Sequence, residues 1–258
     1  MLNRMHDGIE IIAHRGASGD APENTLASVR LGWEQGADVV EFDCRQTCDG
    51  RIVVFHDPTT ERTTNETLIV ADATFAELRR LDVGSWKGPE WAGERIVAIE
   101  DVIATMPDGK RMFVEVKCGA EINDRLVRVV SDSPQACGRF AVISYDVDVV
   151  AGVKRALPEV AAYLVARFEQ DEATGRWSPT VEQLVAIAKD VGLDGLDVRR
   201  DAVVDRAFVE YARDAGLATF VWSVDDAAEA RRLISYGVRG IATNRPARLR
   251  EELARDTY

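Results

Sequence analysis

Short apolar runs recur along the chain and alternate with segments of helical periodicity. The runs last four to seven residues and are rich in Val, Ile, Phe and Ala, which is typical of strands buried on both faces of a parallel sheet. Segments 181–192 and 205–216 place apolar residues at three- and four-residue steps and end in Gly, as amphipathic helices do. The predicted strands are 9–13, 37–43, 112–117, 140–145, 161–166, 195–198, 218–224 and 240–244.

Eight strands that alternate with helices predict an α/β fold, the TIM-type (β/α)8 barrel. The length of 258 residues and the hydrophobic content of 46% suit a single barrel domain over residues 1–258. In barrels of this type the functional residues lie at the carboxyl ends of the strands. Side chains at those ends are therefore the first candidates for chemistry.

A ninth apolar run, 51–56, follows the second strand too closely for a helical crossover. We expect it to return antiparallel to that strand as a hairpin. The intervening Asp49-Gly50 is a strong two-residue turn signal, and a loop centred there places His56 directly opposite Asp43.

Residues 58–97 lack the alternation of strands and helices and are richer in Thr, Gly and Trp. They predict a small insertion after the second-strand hairpin, an inserted subdomain that caps the barrel mouth, with the second barrel helix resuming over 99–106. Trp86 and Trp91 in this segment either pack into a core of the insertion or line a pocket.

Two pairs of polar residues interrupt neighbouring parallel strands. Glu41 and Asp43 lie two positions apart, as do Glu115 and Lys117, so the members of each pair point to the same side. An acidic pair at this spacing is commonly a solvated face, but both pairs here lie at predicted carboxyl ends. Three converging carboxylates suit a hard divalent cation, Mg²⁺ or Ca²⁺.

Two of the three histidines, His14 and His56, end predicted strands at the barrel mouth. A single histidine at such a position is often structural. Two imidazoles beside a metal site are suited to acid-base cleavage of a phosphodiester, since one accepts a proton from the nucleophile and the other donates to the leaving oxygen. Arg15 and Lys117 are candidates to bind the phosphate oxygens. Glu23 and Asn24 either cap the first barrel helix or contact the site.

The order of these residues resembles one known family. The motifs that carry the resemblance are His14-Arg15-Gly16, Pro22-Glu23-Asn24-Thr25, Glu41-Phe42-Asp43, Asp49-Gly50, His56-Asp57, Arg62-Thr63-Thr64-Asn65, Glu115-Val116-Lys117, Trp222 and Thr243-Asn244-Arg245-Pro246. They are similar to those of the glycerophosphodiester phosphodiesterases and cover nearly the whole chain.

The resemblance implies a role for each candidate. The metal ligands would be Glu41, Asp43 and Glu115, the general acid and base His14 and His56, and the substrate ligands Arg15, Lys117 and Trp222. The implied reaction is metal-dependent hydrolysis of glycerophosphodiesters to glycerol 3-phosphate and an alcohol. Two other hypotheses stay open: a phospholipase C- or D-like phosphodiesterase on the same fold, and a non-catalytic metal- or ligand-binding barrel.

Charge and composition restrict the partners. The net charge of −12 repels polyanions, so we expect a small-molecule glycerophosphodiester substrate, no nucleic acid and no stable membrane association.

The chain shows no signal peptide and no apolar run of membrane-spanning length, which favours a cytoplasmic protein. The four cysteines form no motif typical of disulfides or zinc. A homo-oligomer is compatible with all of this.

Overall fold

Eight parallel strands form a closed barrel at the centre of the molecule. The computed structural model describes residues 8–133 and 138–255, and His6 and Cys137 lie outside this part. The barrel closes because its first strand pairs with both the second and the eighth barrel strands, and one short antiparallel strand pairs with the second. The nine strands are β1 (Glu10–Ala13), β2 (Val39–Gln46), β3 (Ile52–Val54), β4 (Arg111–Val116), β5 (Phe140–Ser144), β6 (Ala161–Ala166), β9 (Gly195–Arg199), β10 (Ala218–Trp222) and β11 (Gly240–Thr243).

Helices surround the barrel, as the TIM-type prediction requires, so that prediction is confirmed. A short hairpin, β7 (Glu169–Gln170) with β8 (Trp177–Ser178), follows the fifth barrel strand. The α-helices are α1 (Leu26–Glu34), α2 (Phe75–Leu78), α3 (Ile99–Ile103), α4 (Asn123–Ser131), α5 (Val147–Ala156), α6 (Val181–Asp190), α7 (Arg206–Asp214), α8 (Ala227–Tyr236) and α9 (Pro246–Arg255). Two single-turn 3-10 helices span Pro89–Trp91 and Ala120–Ile122.

Alternation along the strands divides the apolar residues into an inner and an outer core. Inside the barrel, Phe113 packs edge-on against Phe220 with 5.1 Å between ring centroids, and Tyr163 contacts both rings. Burial of each phenylalanine contributes about 1.5–3 kcal/mol. These rings fill the interior below the carboxyl ends of the strands, so the mouth above them is the part left for polar side chains.

The register of the β2–β3 hairpin differs from the prediction by one position. Cys44 pairs with Val54, and the amide of Phe55 donates to the carbonyl of Asp43 at 3.0 Å. The predicted pairing of His56 with Asp43 is therefore wrong. His56 lies two residues beyond Val54, the last residue of β3. Because it is outside the strand, the alternation of side chains along β3 does not determine where its imidazole points.

A three-residue loop explains the shift. The amide of Thr47 donates to the carbonyl of Arg51 at 2.9 Å, which closes the hairpin around Cys48, Asp49 and Gly50. Gly50 has φ of 73°, the left-handed conformation typical of the last residue in such a loop. The Asp-Gly pair therefore marks the turn correctly, but the turn is one residue longer than the two-residue loop expected from it.

The segment after the hairpin packs against the hairpin itself. Val53 and Phe55 of the hairpin form one buried cluster with apolar residues of the segment. The residues that the segment contributes are Val70, Ala73, Leu78, Leu81, Val83 and Ile96. Trp86 is 43% exposed, and neither Trp86 nor Trp91 belongs to this cluster. The expectation that the two indoles pack into a core of the insertion is therefore wrong. An inserted subdomain over 58–97 within a single domain of 1–258 stays a prediction.

Two further features concern the chain as a whole. Cys44, Cys48 and Cys118 are free thiols. Within the described ranges, none of the helices has both the length and the apolar character needed to cross a bilayer.

Candidate active site

Three carboxylates converge at the carboxyl ends of β2 and β4. Asp43 pairs in register with Glu115, and Glu41 points to the same side as Asp43 because it lies two positions earlier. Ligand oxygens of all three lie within 4.8 Å of one another, and the three residues are 3%, 0% and 7% exposed for Glu41, Asp43 and Glu115. The structure thus brings together the three acids that the sequence singled out.

The electrostatics of this cluster favour a bound cation. Burial, together with the neighbouring acids, raises the pKa of Glu41 well above its usual range and that of Glu115 to about 7. Burial alone would also raise the pKa of Asp43, but Lys117 and Arg15 lower it below the usual range. Glu41 Oε1 is buried with no hydrogen-bond donor among the described residues, and Asp43 Oδ1 is buried with Lys117 Nζ 3.3 Å away but accepts no well-directed hydrogen bond from the described residues. Unsatisfied carboxylate oxygens at this spacing fit a hard divalent ion.

Two cationic side chains border the carboxylates. Lys117 Nζ lies 3.3 Å from Asp43 Oδ1 and also contacts Glu115, and Arg15 Nε lies 3.1 Å from Asp43 Oδ2. Asp43 and Glu115 raise the pKa of Lys117 despite the opposing effect of burial. Lys117 is therefore charged at neutral pH and held at the mouth.

The backbone at Arg15 is unusual. Arg15 has φ of 56°, a left-handed conformation that costs about 1–3 kcal/mol in a non-glycine residue. This conformation directs the Arg15 amide toward Glu41 Oε2, at 2.7 Å. Gly16 follows with φ of 77°, and a Cβ there would lie 2.4 Å from the Ser28 backbone. Only glycine fits at that position, so the turn after β1 is built to present Arg15 to the cluster.

His14 is held by a chain of hydrogen bonds from the eighth barrel strand. Its Nδ1 lies 2.9 Å from Asn244 Oδ1, while Asn244 Nδ2 donates to Asp225 Oδ2 at 2.7 Å. Since the amide oxygen faces the ring, Nδ1 must carry the proton and Nε2 the lone pair. Burial and the neighbouring Arg15 lower the pKa of His14 to about 4, so its imidazole is neutral at pH 7.

His56 is positioned by a carboxylate that is itself paired. His56 Nδ1 lies 2.6 Å from Asp57 Oδ1, and Asp57 Oδ2 accepts from Arg62 Nε at 2.6 Å. Burial lowers the pKa of His56, an effect that Asp43 and Asp57 oppose. Arg45 Nε also donates to the His56 carbonyl at 2.8 Å, which fixes the backbone beyond the end of β3.

Arg62 connects the two sides of the site. Its Nη1 and Nη2 groups donate to Glu23 Oε2 and Oε1 at 3.0 and 2.7 Å, and Glu23 Oε1 also accepts from Arg15 Nη1 at 2.9 Å. A continuous chain therefore runs from His56 through Arg62 to Arg15. The sequence singled out Arg62 only as part of a motif, since its partners lie 5 and 39 positions away.

Asn24 is a site residue whose role the sequence left open. Its Nδ2 donates to Asp43 Oδ2 at 2.7 Å, and its Oδ1 accepts from the Asp43 amide at 3.0 Å. Helix α1 is capped instead by Thr25, whose hydroxyl accepts from the Ser28 amide. Neither Glu23 nor Asn24 is the cap, and both contact residues of the mouth.

Aromatic rings form one wall of the mouth. Trp222 at the end of β10 lies edge-on to Tyr145 with 6.4 Å between ring centroids, and Lys117 Nζ lies 5.7 Å from the centre of the Tyr145 ring. Burial, with Glu115, raises the pKa of Tyr145 to about 12, so its hydroxyl is neutral. Trp222 lies where the sequence placed it. The sequence analysis did not single out Tyr145 as a site residue. Because Tyr145 follows the inward-facing Ile143 by two positions, strand alternation would have placed its ring on the inner side as well.

Comparison with known proteins gives a consistent result. The model of the Glycerophosphoryl diester phosphodiesterase family matches residues 14–248. The Bacillus subtilis strain 168 protein YhdW is 33% identical over 242 residues, which cover 92% of this chain and 94% of that protein. A glycerophosphodiester phosphodiesterase of Caldanaerobacter subterraneus subsp. tengcongensis is 31% identical over 244 residues, 93% of this chain and 95% of the relative.

A solved structure extends the similarity to three dimensions. That of an Oleispira antarctica phosphodiesterase, in complex with the product sn-glycerol-3-phosphate, superposes with a TM-score of 0.85 at 27% identity. The match covers 96% of this chain and 98% of that one. The likeness therefore extends over nearly the whole of both chains.

Proposed function

Since the chain belongs to the glycerophosphoryl diester phosphodiesterase family and is an enzyme of that class, we propose that it hydrolyses glycerophosphodiesters to glycerol 3-phosphate and an alcohol by two-histidine acid-base catalysis. The observation that carries this proposal is the meeting of His14 and His56 with a buried carboxylate cluster and two cations at one barrel mouth. A binding protein has no need of two oriented imidazoles.

The phosphate is bound by Arg15 and Lys117. Both form ion pairs with Asp43, and their N–H groups are suited to charge-assisted hydrogen bonds with non-bridging phosphate oxygens. Glu41, Asp43 and Glu115 would hold the divalent cation, Mg²⁺ or Ca²⁺, which when bound polarises a phosphoryl oxygen as a Lewis acid. Trp222 provides an apolar surface for the glycerol carbons.

Proton transfer uses the two histidines in two steps. In the first, the glycerol hydroxyl next to the ester attacks phosphorus, a histidine accepts the hydroxyl proton, and the P–O bond to the alcohol breaks as the other histidine donates to it. In the second step water opens the cyclic phosphate and the proton transfers reverse. Neutral His14, whose Nε2 carries the lone pair, is suited to accept the first proton.

An enzyme-coupled assay for glycerol 3-phosphate tests this function. Glycerophosphocholine, glycerophosphoethanolamine and glycerophosphoglycerol are offered in turn with Mg²⁺, Ca²⁺ or Mn²⁺. We expect release of glycerol 3-phosphate from at least one diester with at least one cation. Release of a phosphorylated head group with free glycerol, or no turnover of any diester, would refute the proposed reaction.

Replacement of Lys117 by Ala is expected to weaken binding of glycerol 3-phosphate by about 10- to 100-fold, because a charged hydrogen bond contributes about 1.5–3 kcal/mol. Turnover should fall as well, since the same charge acts on ground state and transition state. Isothermal titration calorimetry measures the affinity. Lys110→Ala is the matched control, because Lys110 immediately precedes β4 at the opposite end of the barrel. Equal affinity for both variants would exclude Lys117 from the phosphate site.

Replacement of Arg62 by Ala is expected to lower kcat/KM by about 10–10²-fold, since small displacements of catalytic groups have effects of that size. Asp57 and Glu23 would lose their shared cation, and His56 and Arg15 their orientation. Arg62→Lys should restore activity only in part, because one ammonium cannot form the bidentate contact. Arg248→Ala, which removes an exposed arginine–glutamate pair from α9, is the control. Wild-type kcat/KM in Arg62→Ala would contradict the positioning role.

A further inference from the structure

A carboxylate in the loop after β10 binds the residue that positions His14. Asp225 Oδ1 accepts from the backbone amide of Asn244 at 2.8 Å and from Thr243 Oγ1 at 2.7 Å. The other oxygen, Asp225 Oδ2, accepts from Asn244 Nδ2 at 2.7 Å. Three donors thus converge on Asp225, to which the proposed mechanism gives no role.

The carboxylate of Asp225 can only accept hydrogen bonds. Burial would raise its pKa, but the hydrogen bonds from Thr243 and Asn244 lower the pKa below its usual value. The group is therefore ionised at neutral pH and has no proton to donate. Because Oδ2 needs a donor, only the Nδ2 end of the Asn244 side-chain amide can face it.

This contact determines which end of the Asn244 amide faces His14. With Nδ2 directed at Asp225, the other end, Oδ1, lies 2.9 Å from His14 Nδ1. A carbonyl oxygen cannot donate, so the ring proton is held at Nδ1 and the lone pair is left at Nε2. The ionised acid thus selects one of the two neutral tautomers of His14.

The remaining neighbour of the amide, Ser18, is compatible with either orientation. Ser18 Oγ lies 2.7 Å from the carbonyl oxygen of His14 and 3.0 Å from Asn244 Oδ1. If the amide turned over, the hydroxyl would still donate to that carbonyl and would accept from Asn244 Nδ2. The imidazole can also donate or accept at Nδ1. Of the contacts that the described residues make with this amide, only the one with Asp225 fixes its orientation.

We propose that Asp225 is a positioning residue that selects the tautomer of His14 through the side-chain amide of Asn244. The inference deepens the proposed function and rests on it for the effect on turnover, since His14 Nε2 is the atom proposed to accept the first proton. Asp225 acts without touching the reacting atoms.

The isosteric substitution Asp225→Asn has a definite expected result. The oxygen of the introduced amide keeps its contacts with the Thr243 hydroxyl and the Asn244 backbone amide, so an NH₂ group faces the Asn244 side chain. Two NH₂ groups cannot form a hydrogen bond, so the Asn244 amide turns over and directs Nδ2 at His14 Nδ1. The ring proton then moves to Nε2.

Turnover should report this change of tautomer. We expect kcat of Asp225→Asn to fall about 10²-fold or more, because a general base contributes about 10²–10⁴-fold. Binding of glycerol 3-phosphate should stay within about threefold of wild type, since only proton transfer is affected. Asp214→Asn is the matched control, because it removes an exposed carboxylate at the carboxyl end of α7, away from the barrel mouth.

A reciprocal exchange provides the rescue. In Asp225→Asn/Asn244→Asp, the NH₂ group introduced at position 225 donates to the carboxylate introduced at position 244, whose second oxygen accepts from His14 Nδ1. The proton should return to Nδ1, and kcat should recover at least about tenfold relative to Asp225→Asn. General disruption of the loop would not be repaired by a second substitution.

Nuclear magnetic resonance of protein labelled with nitrogen-15 in its histidines identifies the tautomer at neutral pH, and His14→Ala assigns the signals. A proton at Nε2 in wild type, at Nδ1 in folded Asp225→Asn, or at Nε2 in the exchange variant would overturn the inference. If Asp225→Asn changes the tautomer but not kcat, the role of Asp225 in selecting the tautomer stands and proton transfer by His14 is refuted. Absence of turnover in wild type would refute the proposed function alone, because the tautomer is measured without substrate.

Discussion

Removal of divalent cations with a chelator is expected to reduce hydrolysis of glycerophosphodiesters to background, and addition of Mg²⁺ or Ca²⁺ to restore it. Glu41, Asp43 and Glu115 lie within 4.8 Å of one another and cannot all be ionised at low cost without a cation. The coupled assay for glycerol 3-phosphate measures this loss and recovery. Full activity after exhaustive chelation would disprove the dependence.

Cation binding should also be visible without turnover. The melting temperature should rise with added cation in wild type and much less in Asp43→Asn, while Glu159→Gln, a surface substitution, should match wild type. Without a cation the pKa of Glu115 is about 7. Below that pH the ion must displace a proton, so its apparent affinity should fall as pH decreases from 8 to 6. An affinity that is constant over this range would contradict the assignment of Glu115 as a ligand.

Substitution of His14 or His56 by Ala is expected to lower kcat by about 10²–10⁴-fold, because each imidazole is proposed to transfer a proton in the transition state. Binding of glycerol 3-phosphate should change far less than turnover. Steady-state kinetics and calorimetry on the same preparations separate the two effects.

The double variant distinguishes joint from independent action. Since the two imidazoles exchange protons in the same step, the loss in His14→Ala/His56→Ala should be much smaller than the product of the single losses. The circular dichroism spectrum and melting temperature serve as controls for folding. Near-wild-type turnover in both single variants, with ligand binding still lost in Lys117→Ala, would support a binding protein instead.

The barrel and its mouth were predictable because the relevant rules are local. Strand alternation places Glu41 and Asp43 on one side whatever the rest of the chain does, and parallel pairing brings Glu115 to the same end. The acids, His14 and Lys117 could therefore be assigned to one site from spacing alone. Their buried positions at the carboxyl ends of the strands agree with that assignment.

The hairpin shows where local rules fail. Asp49-Gly50 identifies a turn, but the length of the loop depends on whether Thr47 or Cys48 pairs with Arg51. A difference of one residue changes which side chains face each other, so the position of His56 was not determined by its distance from the turn. Its contact with Asp57 and the hydrogen bond from Arg45 to its carbonyl fix it instead.

The sequence by itself determined the barrel, the family and the residues that gather at its mouth, because periodicity and motif order are properties of the chain. Only the tertiary structure decided which side chains hold them in place. Hydrogen bonds join residues 19, 230 and 39 positions apart in the pairs Asn24 with Asp43, Asn244 with His14 and Glu23 with Arg62. Such contacts depend on how the loops fold back over the barrel mouth, and the spacing of residues along the chain does not determine which of them come into contact there.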